Sequence, residues 1–384
     1  MKIVADSQIP LVREAFSNTG ELHLHAGRSI TPDIIKDADI LLVRSVTPVN
    51  AALLNNSSIR FVATATSGID HVDVEYLQDS EIGFASAHGS NAQSVVEYVL
   101  SSLFVLAEQN NFNPKDKTVG IIGCGEVGSR LRKSLETIGM QFLINDPPLK
   151  DKTGDPMFIE LEDVMQADIV SLHTPLTTSG PCPTRYLVDE KFLSRMKQDA
   201  ILVNTSRGGV VNSNALANHI RQHQEFSVVL DVWEHEPEIG HDLLASVEIG
   251  TPHIAGYSTD AKIRATSMIY NAACSYLGLS QTWKPAGGLL DAGLQEFNIA
   301  DEVNDFDAIA MAVKAHYDVR SDAASLRRML EVDSEQSGLY FDELRKNYPL
   351  RREFSATSVK LPPNHKNLVN QFLHLGFTVA DSDG

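Results

Sequence analysis

The stretch that most constrains the fold is IIGCGEVGSRL, residues 121–131. Gly123-x-Gly125-x-x-Gly128 closes the apolar run KTVGIIG and opens a stretch with helical patterning. That spacing asks for a strand, a tight turn and a helix. The first glycine permits the turn, and the second lets backbone approach a pyrophosphate. The third lets helix and strand pack closely, while the helix N-terminus favours negative charge. The glycines alone also suit an ordinary strand–helix turn. The next apolar run, MQFLIND, ends at Asp146, about twenty residues on, where such folds place a ribose-binding acid. A carboxylate there accepts both ribose hydroxyls and repels a 2′-phosphate, and no arginine follows it, so NAD rather than NADP is expected. The alternative for Asp146-Pro147-Pro148 is a strand-ending turn.

The rest of the chain extends this α/β pattern. KIVADS, ELHLHA, ILLVRS and RFVATAT read as strands separated by SQIPLVREAFSNTG and TPDIIKDAD. The latter opens on Thr31-Pro32, a hydroxyl N-cap before a proline at the first helical position. A long helix is expected over 91–109, with Val95, Val99, Leu103 and Leu106 at helical spacing. A second α/β series runs through KTVGIIG, MQFLIND, ADIVSLHT, AILVNTS, SVVLDVW and VEIGTPH. Its strands are continuously apolar, as in sheets covered on both faces. A helix is expected over 258–278. WKPAGGLLDAG then reads as a linker. The last hundred or so residues are more charged and lack the rhythm until NLVNQFLHLGFTVADS.

The 384-residue length allows two or three domains. A net charge of −18 argues against nucleic-acid or anionic-membrane partners, which call for a basic face. Cys124, Cys182 and Cys274 are too few for a disulfide framework, so a reducing, cytoplasmic setting is expected. MKIVADSQIP has no apolar leader core and reads as a strand and turn; no membrane span is expected.

Three strand ends carry the chemistry. NTSRGGVV puts Arg207 where ligands bind in open α/β sheets, outside the carboxyl ends of the strands. Its forked guanidinium suits a carboxylate. TPHIAGYS puts His253 at another strand end, and a histidine can move a proton near neutral pH. DVWEHEPE, between them, crowds Asp231, Glu234, Glu236 and Glu238 around His235. HEPEI is not H-E-x-x-H, because Ile239 takes the second histidine position. His219 and His223 in HANHIRQHQ stand one helical turn apart, without a nearby acid or cysteine, and read as an exposed helix face. No metal site is expected.

GIIGCGEVG with Asp146, NTSRGG, DVWEHEP and HIAG occur here in the order found in D-isomer-specific 2-hydroxyacid dehydrogenases, which residues 1 to about 280 resemble. The resemblance implies two doubly wound parallel-sheet (Rossmann-like) domains plus a smaller C-terminal α+β dimerisation domain. It implies a substrate-binding domain at 1–92, completed by a returning helix near 258–280. An NAD-binding domain then spans 93–257 and the dimerisation domain 285–384. The implied catalytic trio is Arg207, Glu236 and His253, which makes Glu236, not its neighbours, the partner of His253. Implied cofactor contacts are Gly123, Gly125, Glu126, Val127, Gly128, Asp146, Thr174, Thr205, Ser206, Asp231 and Gly256. Implied substrate contacts are Arg44, Ser45, Thr66, Ser67, Gly68 and Tyr257. Glu234 and Glu238 are left as solvated acids.

FDELRKNYPLRREFS and the closing NLVNQFLHLGFTVADS resemble the dimerisation domain of the branch of this family that oxidises 4-phospho-D-erythronate with NAD toward pyridoxal phosphate. VRSVTP and HIAGYS agree with it. A small phosphorylated 2-hydroxy acid and a homodimer are therefore expected. The basic cluster Arg345, Lys346, Arg351 and Arg352 is a candidate for the substrate phosphate in the partner subunit's cleft, against an intersubunit ion-pair patch. Two other readings stay open: a 3-phosphoglycerate dehydrogenase or hydroxypyruvate reductase, and an NAD-sensing binding protein.

Overall fold

A computed structural model describes residues 1–285 and 293–380. Part of the expected linker, residues 286–292, and the last residues of the closing motif lie outside the described residues. The chain divides into two compact units, Met1–Asn91 with Ser258–Ala292, and Ala92–Tyr257 with Gly293–Gly384.

The first unit is built on a parallel sheet of order β2-β1-β3-β4-β5, with β1 Lys2–Asp6, β2 Glu21–His25, β3 Ile40–Val43, β4 Phe61–Thr64 and β5 Gly83–Ser86. Alternate residues of its central strands feed two separate cores. Ile3, Ala5, Ile40 and Leu42 pack with Ile269 and Tyr270 of the helix Thr259–Leu277. Val4, Leu41 and Val43 pack on the other side with Ile35 and Leu77. Both faces being covered, the strands are continuously apolar. β5 has no apolar run, GFAS being half-buried throughout, which hides it from pattern reading. Thr31 occupies the N-cap of Pro32–Ile35, but its hydroxyl makes no capping bond; Ile34 and Ile35 N–H close instead on the Thr31 carbonyl. Ser258 does cap its helix, accepting from Ala261 N.

The second unit carries a six-stranded parallel sheet of order β11-β10-β9-β8-β6-β7. Its strands are β6 Thr118–Ile122, β7 Gln141–Asn145, β8 Ile169–Leu172, β9 Ile201–Asn204, β10 Ser227–Leu230 and β11 Ile249–Gly250. The strand order reverses at β6, so the crevice outside its carboxyl end is where such a sheet takes a ligand. The helix Ala92–Gln109 is buried along almost its whole length.

The C-terminal segment holds more regular structure than its sequence suggests. Helices Asp305–His316, Arg320–Arg327 and Ser337–Lys346 lie between the first and second strands of a small parallel sheet of order β12-β13-β14, with β12 Gln295–Asn298, β13 Thr357–Lys360 and β14 Thr378–Ala380. β12 is mostly exposed, so it lacks the apolar signature of a covered strand. Nor does the segment stand apart. Ile309, Val313, Phe354, Phe372 and Phe377 share one core with Val99, Leu103 and Ile121 of the same unit. Among the described residues, no helix is long and apolar enough to cross a membrane.

Candidate active site

The glycine turn at the end of β6 is built as its spacing asks. Gly123 has φ +90, and a Cβ on it would stand 2.8 Å from the His173 carbonyl. A Cβ on Gly128 would stand 2.0 Å from the Gly123 carbonyl oxygen, so only glycine lets the helix Glu126–Ile138 sit this close to the strand end. At Gly125, the N-cap, a Cβ would meet nothing within 4 Å. The open space lies at the one glycine whose task is to let another group approach. Glu126 pairs with Arg130 at 2.6 Å, and Val127 is half-buried.

Asp146 is the N-cap of Pro147–Thr153. Its carboxylate accepts from Leu149 N at 3.0 Å and from Cys124 N at 2.7 Å, so it braces the glycine turn as well as ending the strand. The hydroxyl of Thr174, at the end of β8, is buried with no hydrogen-bond partner, another polar group an incoming cofactor could satisfy. Beside it, His173 escaped notice in the sequence. Its imidazole contacts the Ser171 hydroxyl at 2.9 Å and Thr205 Oγ1 at 3.4 Å, and burial lowers its pKa to about 3, so it is neutral. A histidine directly before Thr174 at a strand end was the available signal. Ser206 is buried, donating from N and Oγ to Asn204 Oδ1.

The reacting corner joins three strand ends of this unit. Arg207 follows β9 in extended conformation, and its Nη1 donates to the Ser206 carbonyl at 2.7 Å. Gly208 is forced: a Cβ there would lie 1.9 Å from the Trp233 carbonyl oxygen, so this glycine lets the arginine loop lie against DVWEHEPE. Trp233 Nε1 donates to the Thr251 carbonyl at 2.9 Å, tying that segment to the histidine loop.

Two acids of the opening cluster divide the labour. Asp231, 1% exposed, accepts from Thr251 Oγ1 at 2.7 Å, Ile254 N at 2.7 Å and Ala255 N at 2.9 Å. Its own carbonyl accepts from His253 N at 2.7 Å. Burial raises its carboxyl pKa, opposed by nearby His253 and by the three donors. It organises the loop that presents His253 and continues through Gly256. Glu236 accepts from Trp233 N at 2.7 Å on one oxygen, and His253 Nδ1 lies 2.7 Å from the other. Burial pushes Glu236 up, but the charge and hydrogen bond of His253 outweigh it and hold the carboxyl below its ordinary range. A carboxylate can only accept, so Nδ1 carries the proton and Nε2 is left as the basic nitrogen. His253 has φ +57, costly for a residue with a Cβ, and its main-chain and ring bonds hold it there.

Glu234, His219 and His223 differ from expectation. Glu234 is not solvated: it is half-buried and accepts from the Tyr186 hydroxyl and from Ser213 N at 3.3 Å. Those bonds outweigh burial and lower its carboxyl pKa. Glu238 and His235 are exposed. His219 and His223 are half-buried rather than on an open face, their rings 4.2 Å apart and His219 edge-on to Phe226. Burial and the adjacent His223 lower the His219 pKa. Among the described residues no group of three metal-binding side chains gathers.

The basic C-terminal cluster is broken up. Lys346 is exposed, while Arg351 and Arg352 are each only 6% exposed. Arg351 lies beneath the histidine loop, donating to the carbonyls of Ala255 at 3.1 Å and Ser94 at 2.7 Å, with its guanidinium 3.7 Å from the Tyr317 ring centre. Arg345 Nη2 donates to the hydroxyl of Tyr257 of the same chain at 2.9 Å.

In the first unit, Arg44 Nε donates to buried Asp6 at 2.9 Å and Nη2 to Gln8 at 2.8 Å. Ser45 is exposed. Thr66 Oγ1 donates to the Gly68 carbonyl at 2.8 Å, and Ser67 Oγ accepts from Gly89 N at 3.1 Å, so the SGID turn is held by its own side chains.

Residues 101–255 match the family model for the NAD-binding domain of D-isomer specific 2-hydroxyacid dehydrogenases, and residues 289–376 match a domain of unknown function. The chain is 42% identical over 380 residues to an erythronate-4-phosphate dehydrogenase of Hahella chejuensis, covering 99% of this chain and 100% of that one. It is 43% identical over 380 residues to the enzyme of that name from Marinobacter nauticus, covering 98% and 99%. Among solved structures it resembles an Aquifex aeolicus D-lactate dehydrogenase complexed with NAD and lactic acid, with a TM-score of 0.60, 22% identity, and coverage of 72% of this chain and 96% of that one. An NAD-bound 3-phosphoglycerate dehydrogenase of Entamoeba histolytica gives 0.62, 22%, 74% and 98%. At that identity the structural likeness speaks for the fold. The fold, the glycine turn that fits NAD and full-length identity above two-fifths agree: this chain belongs to the erythronate-4-phosphate dehydrogenases, a branch of the D-isomer specific 2-hydroxyacid dehydrogenases.

Proposed function

We propose that this chain oxidises the 2-hydroxyl of 4-phospho-D-erythronate to give (R)-3-hydroxy-2-oxo-4-phosphooxybutanoate, with NAD, in pyridoxal phosphate synthesis. The observation that carries the reading is the 2.7 Å Glu236–His253 contact, which leaves Nε2 as a base at the strand ends that also bear Arg207. Gly123, Gly125 and Gly128 cradle the cofactor pyrophosphate, Asp146 faces its ribose, and the remaining cofactor contacts follow the assignments above. NAD, when bound, supplies the hydride acceptor. His253 Nε2 takes the proton of the 2-hydroxyl as the C2 hydrogen leaves with its electron pair. Glu236 stabilises the imidazolium so formed, which strengthens the base. Arg207 holds the substrate carboxylate and polarises the developing carbonyl.

Arg44, Ser45, Thr66, Ser67, Gly68 and Tyr257 are assigned to the substrate within the same proposal. Leu294, Leu339, Leu350 and Leu373 are each at least half exposed, which supports a homodimer formed through the C-terminal segment. Three free cysteines suit a reducing, cytoplasmic setting. The test is to incubate the purified chain and NAD with 4-phosphoerythronate, 3-phosphoglycerate or glycerate and follow absorbance of reduced cofactor. Turnover of 4-phosphoerythronate well above the others is expected. NAD binding with no turnover of any of them would leave a sensor, and preference for 3-phosphoglycerate another dehydrogenase.

A further inference from the structure

We propose that Arg345 is the cation that receives the phosphate of the substrate bound to its own chain, so that the C-terminal segment completes a specificity subsite in cis. This deepens the phosphorylated-acid reading above and rests on it. Arg345 lies in the last turn of the helix Ser337–Lys346. Its Nη2 donates to the Tyr257 hydroxyl at 2.9 Å, and its guanidinium stands 5.6 Å from the centre of that ring. Tyr257 ends the loop that presents His253, and its ring is braced edge-on by Tyr348 at 5.8 Å. The guanidinium is close enough to the dyad for its charge to help depress the Glu236 carboxyl.

What marks Arg345 is how little satisfies it. A guanidinium offers five N–H donors and cannot lose its charge. The Tyr257 oxygen is the single hydrogen-bond acceptor of Arg345 among the described residues, no carboxylate lies in ion-pair range, and Nε is buried with no partner. Arg351, drawn in further, is a contrast: it spends donors on main-chain carbonyls of Ser94 and Ala255 and stacks on Tyr317. Glu236 and Asp342 act on this half-buried cation only from a distance; a guanidinium short of acceptors gains when an anion meets it directly, and a phosphate matches its fork. With Arg207 assigned to the carboxylate, two arginines stand for the two anionic ends of one substrate.

The test uses the full-length chain and compares kcat/KM for 4-phosphoerythronate with that for erythronate in wild type, R345Q and R345K. Wild type that fails to oxidise 4-phosphoerythronate defeats the proposed function itself, before Arg345 is at issue. Given wild-type turnover, R345Q is expected to cut the preference for the phosphorylated acid by roughly 10- to 100-fold, as losing a charged hydrogen bond does. The loss should fall mainly on KM, with R345K recovering part of it. Inorganic phosphate, as a competitive inhibitor, should weaken by a similar factor; this arm decides if erythronate turns over too slowly to measure or if R345Q does not fold and only R345K is available. An unchanged preference and unchanged phosphate inhibition overturn the proposal. Equal losses on both acids overturn it in favour of a purely supporting contact to Tyr257, and weakened NAD binding in favour of the cofactor's pyrophosphate.

Discussion

Two clusters in the second unit set carboxyl groups beside a cation, and they come out differently. At the strand ends, Glu236 faces His253, and their side chains keep 19% and 35% of their exposure. At least a hundred residues away in sequence, Glu97 and Glu353 lie sealed near Arg351: Glu97 is fully buried and Glu353 4% exposed. There Ser94 Oγ donates to Glu353 at 2.8 Å, and Phe354 N and Gln93 Nε2 donate to one Glu97 oxygen at 2.8 and 3.1 Å. Burial first, and then the charge of Glu353, push the Glu97 carboxyl well above its ordinary range. The sealed acid is pushed toward its neutral form and serves as scaffold. The half-open one keeps its charge because a titratable partner faces it and water still reaches the pair. The two clusters are joined, since Arg351 reaches from the sealed one to the Ala255 carbonyl in the histidine loop.

The contrast breaks most decisively at His253. His253→Ala should lower kcat by about 10²- to 10⁴-fold, the range for losing a general base, with NAD affinity retained. Near-normal turnover in a steady-state assay would end the assignment. Asp231→Ala comes next. It strands Thr251 Oγ1 and two loop N–H groups, so denaturant unfolding should show a loss of about 3 kcal/mol, and turnover should fall because the His253 loop loosens.

Stability against pH sharpens the comparison, because the two acids carry opposite signs. Glu97 is raised above its ordinary 4.5, so its contribution is full below that value and is lost as pH climbs toward the folded pKa. Glu97→Gln should flatten that decline, which for one proton is at most about 1.4 kcal/mol per pH unit. Glu236 is held below 4.5, so its contribution is present above that value and is lost as pH falls through the folded pKa. Glu236→Gln should flatten the acid limb instead. Matching slopes for the two variants would show that the clusters are not distinct. The smallest effect is at Gly125. Gly125→Ala has room for its methyl and should leave stability within about 0.5 kcal/mol, while NAD affinity measured by titration falls about tenfold. Gly128→Ala, with its 2.0 Å clash, should fail to keep the fold.

Much of this was legible because it is local. The glycine turn, the strand runs, the Ser258-capped helix and the strand-end positions of Arg207 and His253 follow from spacing and from apolar runs. The choice of Glu236 over its neighbours came only from family resemblance, since Asp231, Glu234 and Glu238 are chemically alike on paper. β5 and β12 were hidden because neither is a covered apolar strand. Glu234 read as solvated because its partners Tyr186 and Ser213 are distant in sequence.

By itself, then, the sequence determined a doubly wound chain with a pyrophosphate turn and reactive side chains at strand ends, since periodicity and glycine stereochemistry act within a few residues. Only the tertiary structure decided the 2.7 Å approach of Glu236 to His253, that Asp231 ties down the loop, and that Arg345 belongs beside Tyr257 while Arg351 lies under the loop. Those outcomes depend on burial and on partners brought together from distant segments, and the charge of an acid or a guanidinium carries no mark of its future neighbour.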